Sequence, residues 1–489
     1  MFRALILMGA AEALSLAAFN FPILSLPLIV IAGIAVFVLS WKNLEWGIYI
    51  LFGELFFGSR GHLLEYDLGF VSLSLRLVIF AAVFVAWVAS GSSPLRWEVR
   101  WGWIPKSYWL LLLVIGFGII NGYLRGNSLG NIFNDANGYL YFLILPAVLS
   151  VIKTREQINN LLQILASAIV IIAAKTFLLF VWFSLGLPGV ATAYHWIINQ
   201  DFGEITGHVG SASRIFMQSQ FYALMGLFIF SFFTLPQPLP SREGNSSPWR
   251  GEVRWGWQIW LILAAALLSI IMSLSRSFWL GAIAGGMFAI VVVLWQFRAS
   301  FKAFLALGLK LGAIAILEIA MLYGVVAAGG GQFADSVSSR TGDPTKEAAG
   351  GARLLLLPEL VEGIKDNPNL GAGFGKLVTY KSYLPDRVTP QNPDGAITNF
   401  AFEWGFLDIA LKIGIVGLLV YLLFIARIFK LGWVNMEYRI LNMGMLAALI
   451  ALMTLNITTP YLNHPLGIGF LIFLYSIFHI QYSKNESSG

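Results

Sequence analysis

The chain has 489 residues, of which 58% are hydrophobic and 11% charged, with a net charge of +6 and no cysteine. Soluble proteins carry about 25% charged residues, so this composition excludes an ordinary soluble domain, and the lack of cysteine excludes disulfides and thiolate metal sites. Apolar runs of about 20 residues, long enough to cross a bilayer, recur along almost the whole chain. They are continuous rather than alternating, which excludes a membrane β-barrel, so the sequence predicts an all-α polytopic membrane protein.

The apolar segments predict about 12–14 transmembrane helices in a single membrane domain. Residues 1–326 hold the first eleven of them, and residues 406–489 hold the last ones. Between these parts, residues 327–405 form the one long polar stretch, which we predict to be a large loop bearing short helices. The predicted segments are 4–19, 22–40, 45–58, 70–90, 107–121, 138–152, 159–186, 214–234, 257–274, 277–296, 302–326, 406–428, 439–458 and 464–481.

Lysine and arginine concentrate in alternate loops, for example within 96–106, 242–254 and 427–439. The positive-inside rule places such loops in the cytoplasm, and with them both termini. The basic charge is therefore a topology signal, and it predicts no nucleic-acid partner. The loop 327–405 then lies outside the cytoplasm, in the periplasm of a Gram-negative cell, and we predict a multi-pass protein of the bacterial inner membrane.

Two short segments of the chain are almost identical. Residues 92–103 match residues 246–257 at ten of twelve positions, and both lie in predicted cytoplasmic loops. A duplicated binding element is one interpretation. An interspersed repeat that surface loops tolerate is the favoured one, so we assign these segments no chemistry.

Three arginines are predicted at the outer face. Arg214 begins a predicted helix, Arg276 sits in a tight outer turn, and Arg353 begins an amphipathic segment that Pro358 is expected to interrupt. The planar guanidinium matches phosphate oxygens with two parallel hydrogen bonds. Three arginines on one membrane face therefore predict pyrophosphate binding, the alternative being arginines that extend to the lipid headgroups.

Carboxylates supply the candidates for proton transfer. Glu403 lies just before the helix 406–428, where it is a candidate general base; the alternative is an acid that interacts favourably with the helix dipole. Asp408 and Lys412 are spaced to pair with each other on that helix.

Further polar features lie inside or beside the predicted helices. Arg76 and Glu318 are expected either to line the outward half of a cavity or to form structural ion pairs. The run Gly-Ala-Gly-Phe-Gly at 371–375 predicts a flexible turn with free amides, and it has no strand–helix context for a nucleotide site. ATP would also be scarce outside the cytoplasm.

These features together resemble the O-antigen ligase and O-antigen polymerase superfamily of bacterial membrane glycosyltransferases. The resemblance covers roughly residues 205–425. It rests on the order and spacing of several pieces: Arg214, the segment 274–280, Arg353 within the large loop, the segment 368–375, and the helix segment 406–417.

One position departs from the family pattern. Counting back from Gly414 and Gly417, the His-Asn pair of ligase-type members falls on Glu403 and Trp404, so the histidine is absent. This departure counts against ligation to lipid A. It leaves open a polymerase, or another glycan transferase that uses a carboxylate.

The resemblance implies a transferase of surface-polysaccharide assembly, acting in lipopolysaccharide or exopolysaccharide biosynthesis. It implies an undecaprenyl-pyrophosphate-linked glycan donor, a glycan or lipid acceptor, and a metal-independent, inverting reaction without a cofactor on the outer membrane face. In this scheme Glu403 and Arg353 are the catalytic residues, and Arg214, Arg353 and Arg276 hold the pyrophosphate. The alternative is a transporter or flippase of lipid-linked glycan, but the sequence contains no repeat of helices such as transporters carry.

Overall fold

The computed structural model describes most of the chain, and the statements below concern only that part. The predicted cytoplasmic repeat at 92–103 lies outside the described residues, as does most of its counterpart at 246–257. The described ranges are 1–69, 72–90, 104–207, 213–235, 255–296, 301–331, 348–382, 392–434 and 439–486.

Helices account for most of the described residues, and each predicted apolar segment contains one. Short 3-10 turns lie at Pro22–Leu24, Asn137–Ile144 and Tyr461–Asn463. The α-helices are α1 Phe2–Asn20, α2 Ser25–Lys42, α3 Leu44–Phe57, α4 Leu75–Ser90, α5 Lys106–Leu124, α6 Leu129–Ala136, α7 Leu145–Val151, α8 Arg155–Ser184, α9 Val190–Asn199, α10 Gln220–Phe232, α11 Gln258–Ser273, α12 Arg276–Gln296, α13 Phe301–Ala328, α14 Ala348–Asp366, α15 Gly405–Val434, α16 Arg439–Thr458 and α17 Pro465–Glu486.

Three small antiparallel hairpins lie between the helices. In the second, Gly203 pairs with Met217 and Thr206 with Arg214; in the third, Val378 pairs with Asn399. The strands are β1 Glu65–Asp67 with β2 Ser72–Ser74, β3 Gly203–Thr206 with β4 Arg214–Met217, and β5 Val378–Lys381 with β6 Ala396–Asn399.

Nine helical segments in the described part of the chain are long and apolar enough to cross a bilayer, and four more apolar helices have 10–17 residues. Large apolar side chains on these helices point away from the protein, such as Leu309, Ile316 and Leu317 of α13. Lipid tails make such an exposed apolar surface favourable, whereas water would not. The chain is therefore an all-α polytopic membrane protein, as predicted.

The polar loop between α13 and α15 has a small core of its own. Leu356 and Leu360 of α14 pack with Val378 and Tyr380 of β5, with Phe402 and with Leu411 of α15. α14 runs through Pro358 without a break, so the interruption predicted there is wrong. A proline in a helix interior removes one backbone hydrogen bond, and here the packing of the flanking leucines compensates. This small core fixes the start of α14 beside the end of the loop.

Candidate functional site

A cavity of about 780 Å³ opens between the loops that connect the helices at one end of the protein. All four residues predicted as site residues line it: Arg214, Arg276, Arg353 and Glu403. They come from segments far apart in sequence, so only the tertiary structure brings them together. The charged lining consists of five arginines and four carboxylates: Arg60, Arg76, Arg214, Arg276 and Arg353, with Asp67, Asp201, Glu204 and Glu403.

Arg353 and Glu403 contact each other directly. The Nε atom of Arg353 donates a hydrogen bond to Oε2 of Glu403, and the indole N–H of Trp404 donates to the carbonyl oxygen of Arg353 (2.8 Å). The Arg353 side chain is 31% exposed and the Glu403 side chain 49%. The two predicted catalytic groups thus form a partly solvated ion pair, which a bound anion can open at low cost.

Arg214 lies on a strand rather than at a helix start, so the prediction for its local structure is wrong. It begins β4, and the following helix α10 starts six residues later, at Gln220. Its Nε donates to the carbonyl oxygen of Ser273 (2.8 Å) and its Nη1 to Oε2 of Glu204 (3.0 Å). The sequence pattern did not reveal this hairpin, because apolar residues such as Ile215 and Phe216 are compatible with either a helix or a strand.

Arg276 occupies the place predicted for it. α11 ends at Ser273 and α12 begins at Arg276, and Leu274 between them has a positive φ of 44°. This tight turn directs the first residues of α12 toward the cavity, which Ser275 and Ser277 also line. The carbonyl oxygen of Ser273 accepts from Arg214, so the turn and the β3–β4 hairpin form one continuous wall.

Arg76 satisfies both interpretations made from the sequence. It lines the cavity, and it forms a buried ion pair with Glu54 through Nε–Oε2 (2.9 Å) and Nη2–Oε1 (3.0 Å). Glu318 does not line the cavity; it is a mostly buried residue of α13.

Sequence reasoning missed two residues of the cavity. Arg60 forms a two-pronged ion pair with Asp201 (2.7 and 2.8 Å). His464 lies between α16 and α17, where burial lowers the pKa of its imidazole well below the usual value and so keeps the ring neutral. The Leu466 N–H donates to its Nδ1 (3.3 Å), which leaves the proton on Nε2. Neither residue carries a sequence motif: Arg60 meets a partner 141 positions away, and only the tertiary structure brings His464 to the cavity.

The glycine run is not a ligand loop with free amides, so that prediction is wrong. The N–H groups of Ala372 and Gly373 donate to the carbonyl oxygens of Leu411 (2.7 Å) and Lys412 (3.0 Å) on α15. The other three amides of 371–375 also have partners: Gly371 with Asn367, Phe374 with Gly118 and Gly375 with Asp135. Residues 368–375 pack against α15 at Gly414, where the helix is broken. We call these residues the glycine lock.

The glycine lock repairs a break in a membrane helix. Gly414 has φ 74° and ψ 175°, so the helical hydrogen bonds across it are lost. The Ile415 and Val416 amides donate instead to the carbonyl oxygens of Pro368 (2.8 Å) and Asn369 (3.4 Å). Backbone groups left unpaired in a membrane are costly, so the loop and the helix satisfy one another.

Beneath the lock lies a buried charge cluster. Lys412 pairs with Asp408 (2.7 Å), as predicted, and also with Asp135 of α6. Asp408 additionally accepts from the side-chain amide of Asn463, and Asp135 accepts from the Gly375 N–H (2.8 Å). The side chains of Lys412, Asp408 and Asp135 are each 2% exposed. The cluster therefore ties three distant segments to the lock and does not line the cavity.

Comparison with known proteins bears on the second half of the chain. Residues 261–422 match the family model described as O-antigen ligase. The matched region begins in α11, contains Arg276, Arg353 and Glu403 together with the glycine lock, and ends beyond the break in α15. A search of curated proteins gives no match to this chain. The match confirms the resemblance read from the residues: the region 261–422 is similar to the O-antigen ligase family.

Proposed function

We propose that the protein transfers or polymerises glycan in surface-polysaccharide assembly, from an undecaprenyl-pyrophosphate-linked donor on the outer face of the bacterial plasma membrane. The observation that carries the proposal is the cavity in which Arg214, Arg276, Arg353 and Glu403 meet. The match of 261–422 to the O-antigen ligase family model supports this reaction class. The charge bias of the loops supports the outer location, with both termini in the cytoplasm.

The arginines would hold the pyrophosphate. Two of them have carboxylate partners that are well exposed: the Glu204 side chain, paired with Arg214, is 59% exposed, and that of Glu403, paired with Arg353, is 49% exposed. Exposed ion pairs of this kind contribute at most about 1 kcal/mol. A pyrophosphate with several charges can replace both carboxylates and gain bidentate hydrogen bonds in return.

Release of Glu403 from Arg353 would supply the base. The freed carboxylate accepts the proton of an acceptor hydroxyl, whose oxygen attacks the anomeric carbon of the donor sugar. The bond between that carbon and the pyrophosphate oxygen breaks on the opposite side, which inverts the anomeric configuration. The arginines stabilise the charge that grows on the leaving pyrophosphate, and they do so without a metal in this scheme.

A purified-protein assay with lipid-linked oligosaccharide tests the proposal. We expect Arg353→Ala and Glu403→Gln to lower transfer by at least about 100-fold, because one loses the leaving-group contact and the other the base. Arg125→Ala and Glu359→Gln are matched controls, since both residues are exposed and neither lines the cavity. We expect both to retain full transfer.

The products of the assay separate the possible activities. Longer lipid-linked chains indicate a polymerase, and transfer to another acceptor indicates a ligase. Binding without transfer favours the transporter alternative and contradicts the proposal. A fully active Glu403→Gln enzyme would remove this carboxylate from the scheme while leaving the donor site standing.

A further inference from the structure

Three residues that line the cavity hold buried polar atoms that form no hydrogen bond within the described part of the chain. Arg76, Tyr141 and Tyr461 all line the cavity, and their exposed fractions are only 4%, 4% and 2%. Within the described part of the chain, Nη1 of Arg76 and the hydroxyl groups of both tyrosines form no hydrogen bond. An unpaired buried donor costs about 1–3 kcal/mol, so three of them on residues that line one cavity point to a ligand that completes them.

Other buried tyrosines differ in this respect. The hydroxyl groups of Tyr108, Tyr222 and Tyr421 donate to backbone carbonyl oxygens at 2.7–2.9 Å. The hydroxyl group of Tyr139 also has no partner in the part of the chain that the structure describes, but Tyr139 packs beside Phe374 and is not among the residues that line the cavity. Tyr139 therefore offers a matched control for the two tyrosines at the cavity.

The Arg76 side chain is held in place, and Glu54 compensates its charge. Glu54 holds Arg76 through two hydrogen bonds, and the side chains of this pair are only 3% and 5% exposed. A ligand cannot displace a carboxylate buried in this way, unlike the Glu403 side chain, which is half exposed. Nη1 of Arg76 is thus a fixed, directional donor without a surplus positive charge.

The neighbouring groups have the same character. Burial raises the pKa of Tyr461, so its hydroxyl stays protonated and can both donate and accept. His464 is neutral and carries its proton on Nε2, so it can donate from that atom. Phe80 lies 5.2 Å from the ring of Tyr141 and also lines the cavity. Neutral hydrogen-bonding groups beside an aromatic ring suit the hydroxyls and the apolar face of a sugar.

We propose that Arg76, Tyr141 and Tyr461 form a sugar subsite, the hydroxyl wall, which binds hydroxyl oxygens of the glycan that enters the cavity. The subsite rests on the proposed function for the nature of its ligand, and it consists of residues other than the arginines assigned to the pyrophosphate. A site built to hydrogen-bond a substrate hydroxyl discriminates strongly against analogues that lack it. The hydroxyl wall would therefore set which sugar the protein accepts.

Binding to two lipid probes tests this inference. The probes are undecaprenyl pyrophosphate without sugar and the lipid-linked oligosaccharide extracted from the cells that make this protein. We expect Tyr141→Phe and Tyr461→Phe each to weaken binding of the oligosaccharide-bearing lipid about 3- to 10-fold, as the loss of one neutral hydrogen bond does. Binding of the sugar-free lipid should not change. Tyr139→Phe should change neither affinity.

A loss of binding in these variants cannot be attributed to unfolding. Each of the three variants removes a hydroxyl group that has no partner among the described residues, so we expect none of them to lower the melting temperature. Equal weakening for both lipids would assign the wall to the pyrophosphate and overturn the proposal, and unchanged affinity for both lipids would overturn it too. If the variants weaken oligosaccharide binding selectively while the wild type transfers nothing, the subsite stands and the proposed transferase activity fails. If the wild type binds neither lipid, both fail.

Discussion

The glycine lock and the cavity both involve the polar loop between α13 and α15, yet they treat polar groups in opposite ways. In the lock, all five amides of 371–375 have a partner, and the charges beneath it are paired. In the cavity, Nη1 of Arg76 and two buried hydroxyl groups find no hydrogen-bond partner among the described residues, and the Arg214–Glu204 and Arg353–Glu403 ion pairs are partly exposed. Since unpaired buried donors lower stability, their position at a cavity distinguishes a binding region from a structural one.

The difference between the lock and the cavity also distinguishes segments that contribute equally to the family resemblance in the sequence. The glycine run at 371–375 and the arginine-bearing segments are all parts of the family resemblance, but the run supports a helix break while the arginines line the cavity. Substitutions in the lock should therefore prevent the protein from folding. Substitutions in the cavity should leave the fold intact and abolish glycan transfer.

Gly373→Ala should have the largest effect. Gly373 has φ 81°, and a Cβ there would lie 2.2 Å from the backbone nitrogen of Gly122, which cannot move aside. We expect a loss of more than about 4 kcal/mol, seen as the absence of a monodisperse peak in fluorescence-detected gel filtration. Gly126→Ala is the control, because Gly126 has the same φ of 81° with open space around it. It should lose only about 1–2 kcal/mol, and an equal loss at both positions would mean that the close approach in the lock does not matter.

Lys412→Met should have the next largest effect. The change leaves Asp135 and Asp408 buried without their common cation, which typically costs about 3–5 kcal/mol. Thermal unfolding in detergent measures it. Lys381→Met, at an exposed position of β5, should leave the melting temperature unchanged. A stable Lys412→Met protein would mean that the cluster contributes little to the lock.

Glu403→Gln should have the smallest effect on stability. The Arg353–Glu403 pair is partly solvated, so its loss should change the free energy of unfolding by less than about 1 kcal/mol. The same substitution at Glu54, whose pair with Arg76 is buried, should lower the melting temperature clearly. If Glu403→Gln destabilised the protein as much as Glu54→Gln, the cavity pair would be structural and the contrast between the two regions would fail.

Much of the architecture could be read from the chain because a membrane restricts the choices. Every apolar run had to become a helix, since only a helix satisfies its own backbone in lipid. Arg276 and the Asp408–Lys412 pair were predictable from spacing within one turn or one helix. Arg214 was placed on the wrong element, because the consecutive apolar residues at 215–217 fit the start of a helix as well as a short strand.

Contacts between segments that are distant in the chain could not be predicted from the sequence. Lys412 meets Asp135 across 277 positions, and Arg76 meets Glu54 from another helix. The break at Gly414 was hidden because glycine inside an apolar run is compatible with an unbroken membrane helix. The unpaired hydroxyls of Tyr141 and Tyr461 have no sequence signal, since a hydroxyl is unpaired only with respect to its neighbours in space.

The sequence by itself therefore determined the membrane class, the position of the polar loop, the family resemblance and the residue types available for chemistry. Those features depend on local composition and on backbone groups that must be satisfied in lipid. The tertiary structure alone decided that four separated site residues line one cavity and that the glycine run closes a broken helix. It alone also decided that three residues at the cavity keep polar atoms without a partner among the described residues. Those features depend on which segments pack together, and the free energy of packing is a property of the whole fold.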